Sequence, residues 1–240
     1  MKKHFKSTLY LGAGLILVAF TIFALLNYRT NPTAEVTPEL ATIADARANS
    51  YQPILGGLEV KENDLVIGSE KAPLKIFVYE DYSSPLSATL ADTLNKLSKE
   101  NNGRLAIVVR PFVLNGNSIS LDAALAYTCA LEAGKGEEMR AKLFTLAKED
   151  NFNTPAVTEE AKSLKINEAE FQDCLTNQEK SLKLEEGMNE AKANLVLGAP
   201  TMFVGDEMIL GARPYSDFVD SNGDAIEGLK TVVDRKLNGI

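Results

Sequence analysis

Few residues in this chain could do chemistry, and their spacing limits what that chemistry could be. The two cysteines, Cys129 and Cys174, stand 45 positions apart, which is nothing like the Cys-x-x-Cys of a redox couple. A thiolate can attack a disulfide or bind a metal, and two thiols can pair. Two cysteines alone cannot build a four-thiolate zinc site. The one histidine, His4, lies across a long apolar run from everything that reads as a folded domain. Without imidazole the domain cannot assemble a Ser-His-Asp triad, a Cys-His pair or a histidine-rich metal centre. No metal and no cofactor is expected, and any serine chemistry would lack a histidine base.

The apolar run itself sets the compartment. Leu9 to Leu26 is uncharged and apolar, long enough to cross a hydrocarbon core of ~30 Å as a helix. A cleaved signal peptide would share the basic start but would have a shorter apolar region and a small-x-small cleavage site. Phe23, Leu25, Leu26, Asn27 and Tyr28 crowd the exit instead, so retention as an anchor is the expectation. Lys2, Lys3 and Lys6 precede the run and Arg29 alone follows it closely. The positive-inside rule then puts residues 1–8 in the cytoplasm and the domain outside the cell membrane. Disulfides persist there. A net charge of -8 argues against nucleic acid as a partner, because an acidic surface repels it. The membrane is met through the N-terminal helix.

The elements that must carry these residues follow from periodicity. Residues 27–58 are polar and punctuated by Pro32, Pro38, Pro53, Gly56 and Gly57, the composition of a linker, with one short helix expected over 39–48. Residues 59–240 then read as one domain. Leu74 to Tyr79 and Leu105 to Val109 are short apolar runs that predict buried strands. Between them Leu86, Leu90, Leu94 and Leu97 recur at helical spacing over 85–99. A helical block is predicted over about 121–197, with breaks near 151–155 and 166–167. Met202 to Val204 and Met208 to Leu210 flank Gly205 and Asp206, a hairpin signal, and a last helix is predicted over 224–237. The order β, α, β, helical block, β, β, α describes an α/β chain: a thioredoxin fold with a helical insertion between the two halves of its core, preceded by one transmembrane helix.

Two stretches carry a resemblance. Leu65 to Ser87 (LVIGSEKAPLKIFVYEDYSSPLS) and Gly198 to Phe218 (GAPTMFVGDEMILGARPYSDF) are similar to the opening and closing stretches of the DsbA-like thiol-disulfide oxidoreductases. The resemblance covers about residues 60–240. The family's opening pattern runs aromatic-x-Asp-aromatic-x-Cys-Pro-x-Cys, and its closing one holds a cis-proline loop before a hairpin. Matching Asp81, Tyr82 and Pro85 to that pattern puts Ser84 and Ser87 at the two redox cysteines. Exchange needs a sulfur that attacks as thiolate and leaves from a disulfide, and an alcohol does neither. The resemblance implies a cis bond at Ala199–Pro200, with Thr201 next to it. Alternatively, Gly198 to Pro200 simply ends a helix before a strand.

Other readings of the same residues stand beside the family's. Ser84 followed by Pro85 is an N-cap followed by a favoured first helical residue. In the functional alternative, the Ser84 hydroxyl binds a peptide or ligand at the positive end of the helix. Asp81 is expected in a turn or facing solvent. Cys129 shares a face with Leu121 and Leu125, and Cys174 with Phe171, Leu175 and Leu182, so both should point inward. The resemblance, in an oxidising compartment, implies a structural disulfide between them, and two buried free thiols are the alternative. Three functions follow. The first is an extracytoplasmic binding or chaperone-like module for a protein or peptide, redox-inactive at the usual motif and not an enzyme. The second is a thiol-disulfide oxidoreductase working through Cys129 and Cys174. The third is a subunit of an envelope complex.

Overall fold

The computed structural model describes residues 58–239. The segment over 9–26, most of the linker over 27–58 and the helix expected over 39–48 lie outside the described residues. Among the described residues no helix is long and apolar enough to cross a membrane.

The core is built on alternation. Strand β2 (Leu74–Glu80) sends Ile76 and Val78 to one face of the sheet and Phe77 and Tyr79 to the other, and all four are buried. A strand covered on both faces reads as a continuous apolar run, as this one does. Helix α1 (Pro85–Glu100) crosses over to β3 (Leu105–Pro111), which lies parallel to β2 from Leu74↔Leu105 to Glu80↔Pro111. A four-residue strand, β1 (Leu65–Gly68), pairs antiparallel with β3. It was not predicted, because four residues ending at Gly68 give too short a period-2 signal, and Gly68 itself takes φ 101.

Five helices follow where one block was expected over 121–197. They are α2 (Ser118–Glu132), α3 (Gly136–Lys148), α4 (Thr154–Ser163), α5 (Glu168–Leu175) and α6 (Gln178–Ala193). The block starts at Ser118 because Asn117 caps it, accepting from the Ser120 N–H at 3.2 Å. Two unpredicted breaks arise from Gly134, at φ 69, and from Asn177, whose side chain caps α6. The second break resets the helical phase. Leu182 therefore does not continue the face of Phe171 and Leu175: it is 51% exposed, and Leu184 packs inward in its place.

The chain returns to the sheet at β4 (Thr201–Val204) and β5 (Glu207–Leu210). The hairpin turns at Gly205, whose φ of 62 suits a residue without a Cβ. The sheet order is β1-β3-β2-β4-β5. The last helix, α7 (Leu229–Leu237), begins five residues later than predicted. Residues from 224 onward pair instead, β6 (Phe218–Val219) with β7 (Ala225–Ile226), closed by Asp224 C=O accepting from the Asp220 N–H at 2.9 Å. Asp217 then supplies the cap that Gly228 lacks, accepting from the Gly228 N–H and the Thr231 hydroxyl, both at 2.7 Å.

One sheet face is covered by α1, by Val232 and Val233 of α7, and by the insertion's Met139, Leu143 and Phe144. The other meets Met188 and Ala191 of α6. This arrangement brings three chain segments to one edge, the rim where the central strands β2 and β3 end and β4 begins: the residues after β2, the residues after β3 and the residues before β4. Strand β4 runs antiparallel to β2, with Thr201 opposite Tyr79.

Candidate functional site

The turn after β2 is organised around hydroxyls. Ser84 sits in extended backbone (φ -97, ψ 122), and its Oγ accepts from the Ser87 N–H at 3.4 Å; Pro85 follows in the first turn. This is the N-cap geometry that leaves fewer orphan N–H groups at the start of α1. Ser87 is fully buried, and its Oγ accepts the Asp81 N–H at 3.2 Å. Asp81 in turn accepts from the Ser83 N–H (2.9 Å) and hydroxyl (2.7 Å). Asp81 is thus a turn residue, as expected, but it is buried rather than facing solvent. Its carboxylate is consumed inside the turn. Leu86, expected on the apolar face of α1, is 61% exposed, since the first turn overhangs the sheet and only Leu90, Leu94 and Leu97 reach the core.

Beneath this turn lies a buried ion pair that sequence reasoning missed. Arg140 of α3 donates to both carboxylate oxygens of Glu80, at 2.6 and 2.7 Å, and both residues are buried. Burial works against the guanidinium's charge, but the Glu80 carboxylate outweighs it and holds Arg140 above its usual pKa. The available signal was a single arginine among the buried apolar positions Met139, Leu143 and Phe144. Tyr82, two residues before Ser84, stacks on Tyr127 of α2 with ring centroids 4.3 Å apart and also meets Phe144. Burial pushes the Tyr82 phenol well above its usual range. Its hydroxyl and that of Tyr127 have no partner among the described residues.

On the neighbouring segment the Ala199–Pro200 bond is cis. Thr201 is buried and donates its hydroxyl to the Gly198 C=O at 2.7 Å, and the Pro200 C=O accepts from the Gly211 N–H at 2.8 Å. The structure brings Ser84, Ser87, Pro200 and Thr201 to the same edge of the sheet. That edge is also apolar. Of the seven large hydrophobic side chains exposed among the described residues, five belong to it or to the elements that start there: Leu86, Leu114, Ile119, Leu197 and Leu210. Exposed apolar side chains gathered in one region are a mark of contact with another molecule.

A family model described as Thioredoxin matches residues 60–221. The chain belongs to the thioredoxin family. Three solved structures are similar to it in fold. The catalytic domain of Proteus mirabilis ScsC has 18% identity and a TM-score of 0.59, with 81% of this chain and 98% of that one covered. Oxidised BdbD from Bacillus subtilis has 20% identity and a TM-score of 0.60, covering 74% and 95%. A periplasmic thioredoxin-like protein from Salmonella enterica serovar Typhimurium has 21% identity and a TM-score of 0.57, covering 74% and 92%. At such identities the likeness is one of fold. Among curated proteins none matches the sequence.

The two cysteines of this thioredoxin-family chain lie elsewhere. Cys129 on α2 and Cys174 on α5 are joined, with Cα atoms 5.9 Å apart. Cys129 is buried and Cys174 half-buried. The bond ties one side of the insertion together. Among the described residues no group of three His, Cys, Asp or Glu side chains is placed to hold a metal.

Proposed function

We propose that this chain is a membrane-anchored, extracytoplasmic binding module that holds an extended protein segment along the edge carrying Pro200, without disulfide exchange at that edge. The observation that carries the reading is a thioredoxin-family edge, cis-proline and apolar rim included, whose two motif positions are hydroxyls already engaged in holding the turn. Ser84 caps α1 and Ser87 anchors Asp81. Among the described residues neither hydroxyl is hydrogen-bonded to a carboxylate or other base, and neither can form or leave a disulfide. The anchor rests on the apolar run over 9–26 and its basic flank. The outside location agrees with the word "periplasmic" in the description of the Salmonella protein.

The test is turnover. The full chain should neither reduce insulin nor oxidise a reduced, unfolded substrate. If either activity is found, and survives when Cys129 and Cys174 are replaced by alanine, the binding-module reading fails.

A second reading, a thiol-disulfide oxidoreductase acting through Cys129 and Cys174, is favoured by one observation: Cys174 is half-buried rather than enclosed in the core. It requires that mild reductant open the bond in the folded protein and that alkylation then trap both thiols. A pair inert under those conditions removes this reading.

A further inference from the structure

A groove of about 520 Å³ opens between the loop that follows β3 and the turn that follows α6. Its walls are Val113 and Leu114 on one side, Val196 and Leu197 on the other, with Met188 among the lining residues. Leu197 is 79% exposed and stands three residues before the cis-proline. Phe112, Asn115 and Asn117 also line it, and its one charged residue, Lys192, makes no ion pair among the described residues. Ten other described lysines are paired with a carboxylate in this acidic chain.

Several polar groups of the wall are already engaged, whereas the exposed Asn115 side chain is not hydrogen-bonded among the described residues. The Val113 N–H donates to the Met188 thioether at 3.1 Å, the Leu114 N–H to the Ser120 hydroxyl at 3.0 Å, and the Asn117 amide oxygen is used to cap α2. A ligand therefore finds mostly apolar surface here, with one cation at Lys192 and the amide of Asn115 at the rim. Charge complementarity then selects a negative group adjoining an apolar one. A second copy of this chain is disfavoured, because two chains of net charge -8 repel.

We infer that this groove is a side-chain subsite for a bound polypeptide, taking a large apolar residue between Leu114 and Leu197 while a neighbouring aspartate or glutamate pairs with Lys192. This rests on the binding-module reading and deepens it: the segments recognised are extended, apolar and acidic by turns.

The probes are two fluorescein-labelled nine-residue peptides, one alternating leucine with glutamate and one alternating leucine with lysine, each also made with a photoreactive leucine. They are titrated against the full chain in detergent. The glutamate peptide should bind about fivefold more tightly than the lysine peptide, the size of effect expected of one partly exposed charge pair. Lys192→Glu, on an exposed helix position, should reverse that order with unchanged circular dichroism. Leu197→Asp should weaken the glutamate peptide at least as much, and crosslinks should fall on Val113, Leu114 or Leu197. Equal binding of both peptides, with crosslinks confined to Leu86 and Leu210, overturns the subsite and leaves the binding-module reading standing. Binding of neither peptide overturns both. A dimer that Leu197→Asp dissociates assigns the groove to a second copy and overturns the subsite.

Discussion

The turn at Ser84–Ser87 and the clasp at Cys129–Cys174 divide between them what one redox site would combine. The turn has the position, the helix N-terminus and the neighbouring cis-proline, but no sulfur. The clasp has both sulfurs but joins two helices of the insertion, with one partner buried. Position without sulfur can still bind; sulfur in this position holds helices together. The two regions are mechanically close, since Tyr127, on which Tyr82 stacks, lies two residues from Cys129 on α2. The difference teaches that the two sulfurs of this chain lie outside the turn that carries the helix N-terminus beside the cis-proline.

The sharpest way to test that separation is to return the sulfurs to the turn. S84C/S87C should convert a chain with no insulin-reducing turnover into one with measurable turnover, because α1's positive end lowers the pKa of a thiol placed at its cap. S84C alone should not, lacking a resolving partner. If the double variant folds, forms the new bond and still fails to turn over, the frame has lost more than its sulfurs.

The next largest effect belongs to the clasp. Replacing both cysteines by alanine removes a 45-residue loop closure, for which chain entropy alone gives about 4 kcal/mol. Chemical denaturation should therefore show a large fall in midpoint, with no gain or loss of turnover. A fall of under about 1 kcal/mol would mean that packing, not the bond, holds α5 to α2. Ser87→Ala should cost about 1–3 kcal/mol, because it leaves the buried Asp81 N–H without its acceptor. Ser84→Ala should cost about 1 kcal/mol, the usual value of an N-cap, and less if the 3.4 Å contact is weak. If Ser84→Ala instead proves the more damaging of the two, the assignment of the buried anchor to Ser87 is wrong.

The smallest prediction lies outside both regions and serves as their control. Thr231's hydroxyl and the Gly228 N–H hold the Asp217 carboxyl below its usual pKa. A depressed folded-state pKa adds stability above the unfolded pKa of about 4. That stability is lost as pH falls through the folded value. Asp217→Asn should therefore flatten the acid limb of the stability curve without touching ligand binding.

Much of this molecule was legible in the sequence because the signals were local and long. The central strands, helix α1, the β4–β5 hairpin and the insertion each rest on a periodic apolar pattern or a turn dipeptide. The departure at Ser84 and Ser87 needed only residue identity, as did the absence of a histidine in the domain. What the sequence could not decide was set by contacts that a periodic apolar pattern does not encode. Strand β1 exists because β3 offers it a ladder. Asp81 is buried because Ser87, six residues on, takes its N–H. The start of α7 waits on Asp217, eleven residues before Gly228, and Leu182 faces out because a cap at Asn177 restarts the helical phase. Glu80 and Arg140 are 60 residues apart, and the groove beside Lys192 forms only where two loops from opposite ends of the insertion meet. Local propensity acts through neighbours on one element, whereas burial and ion pairing depend on which elements the sheet brings together, and only the tertiary structure decides that.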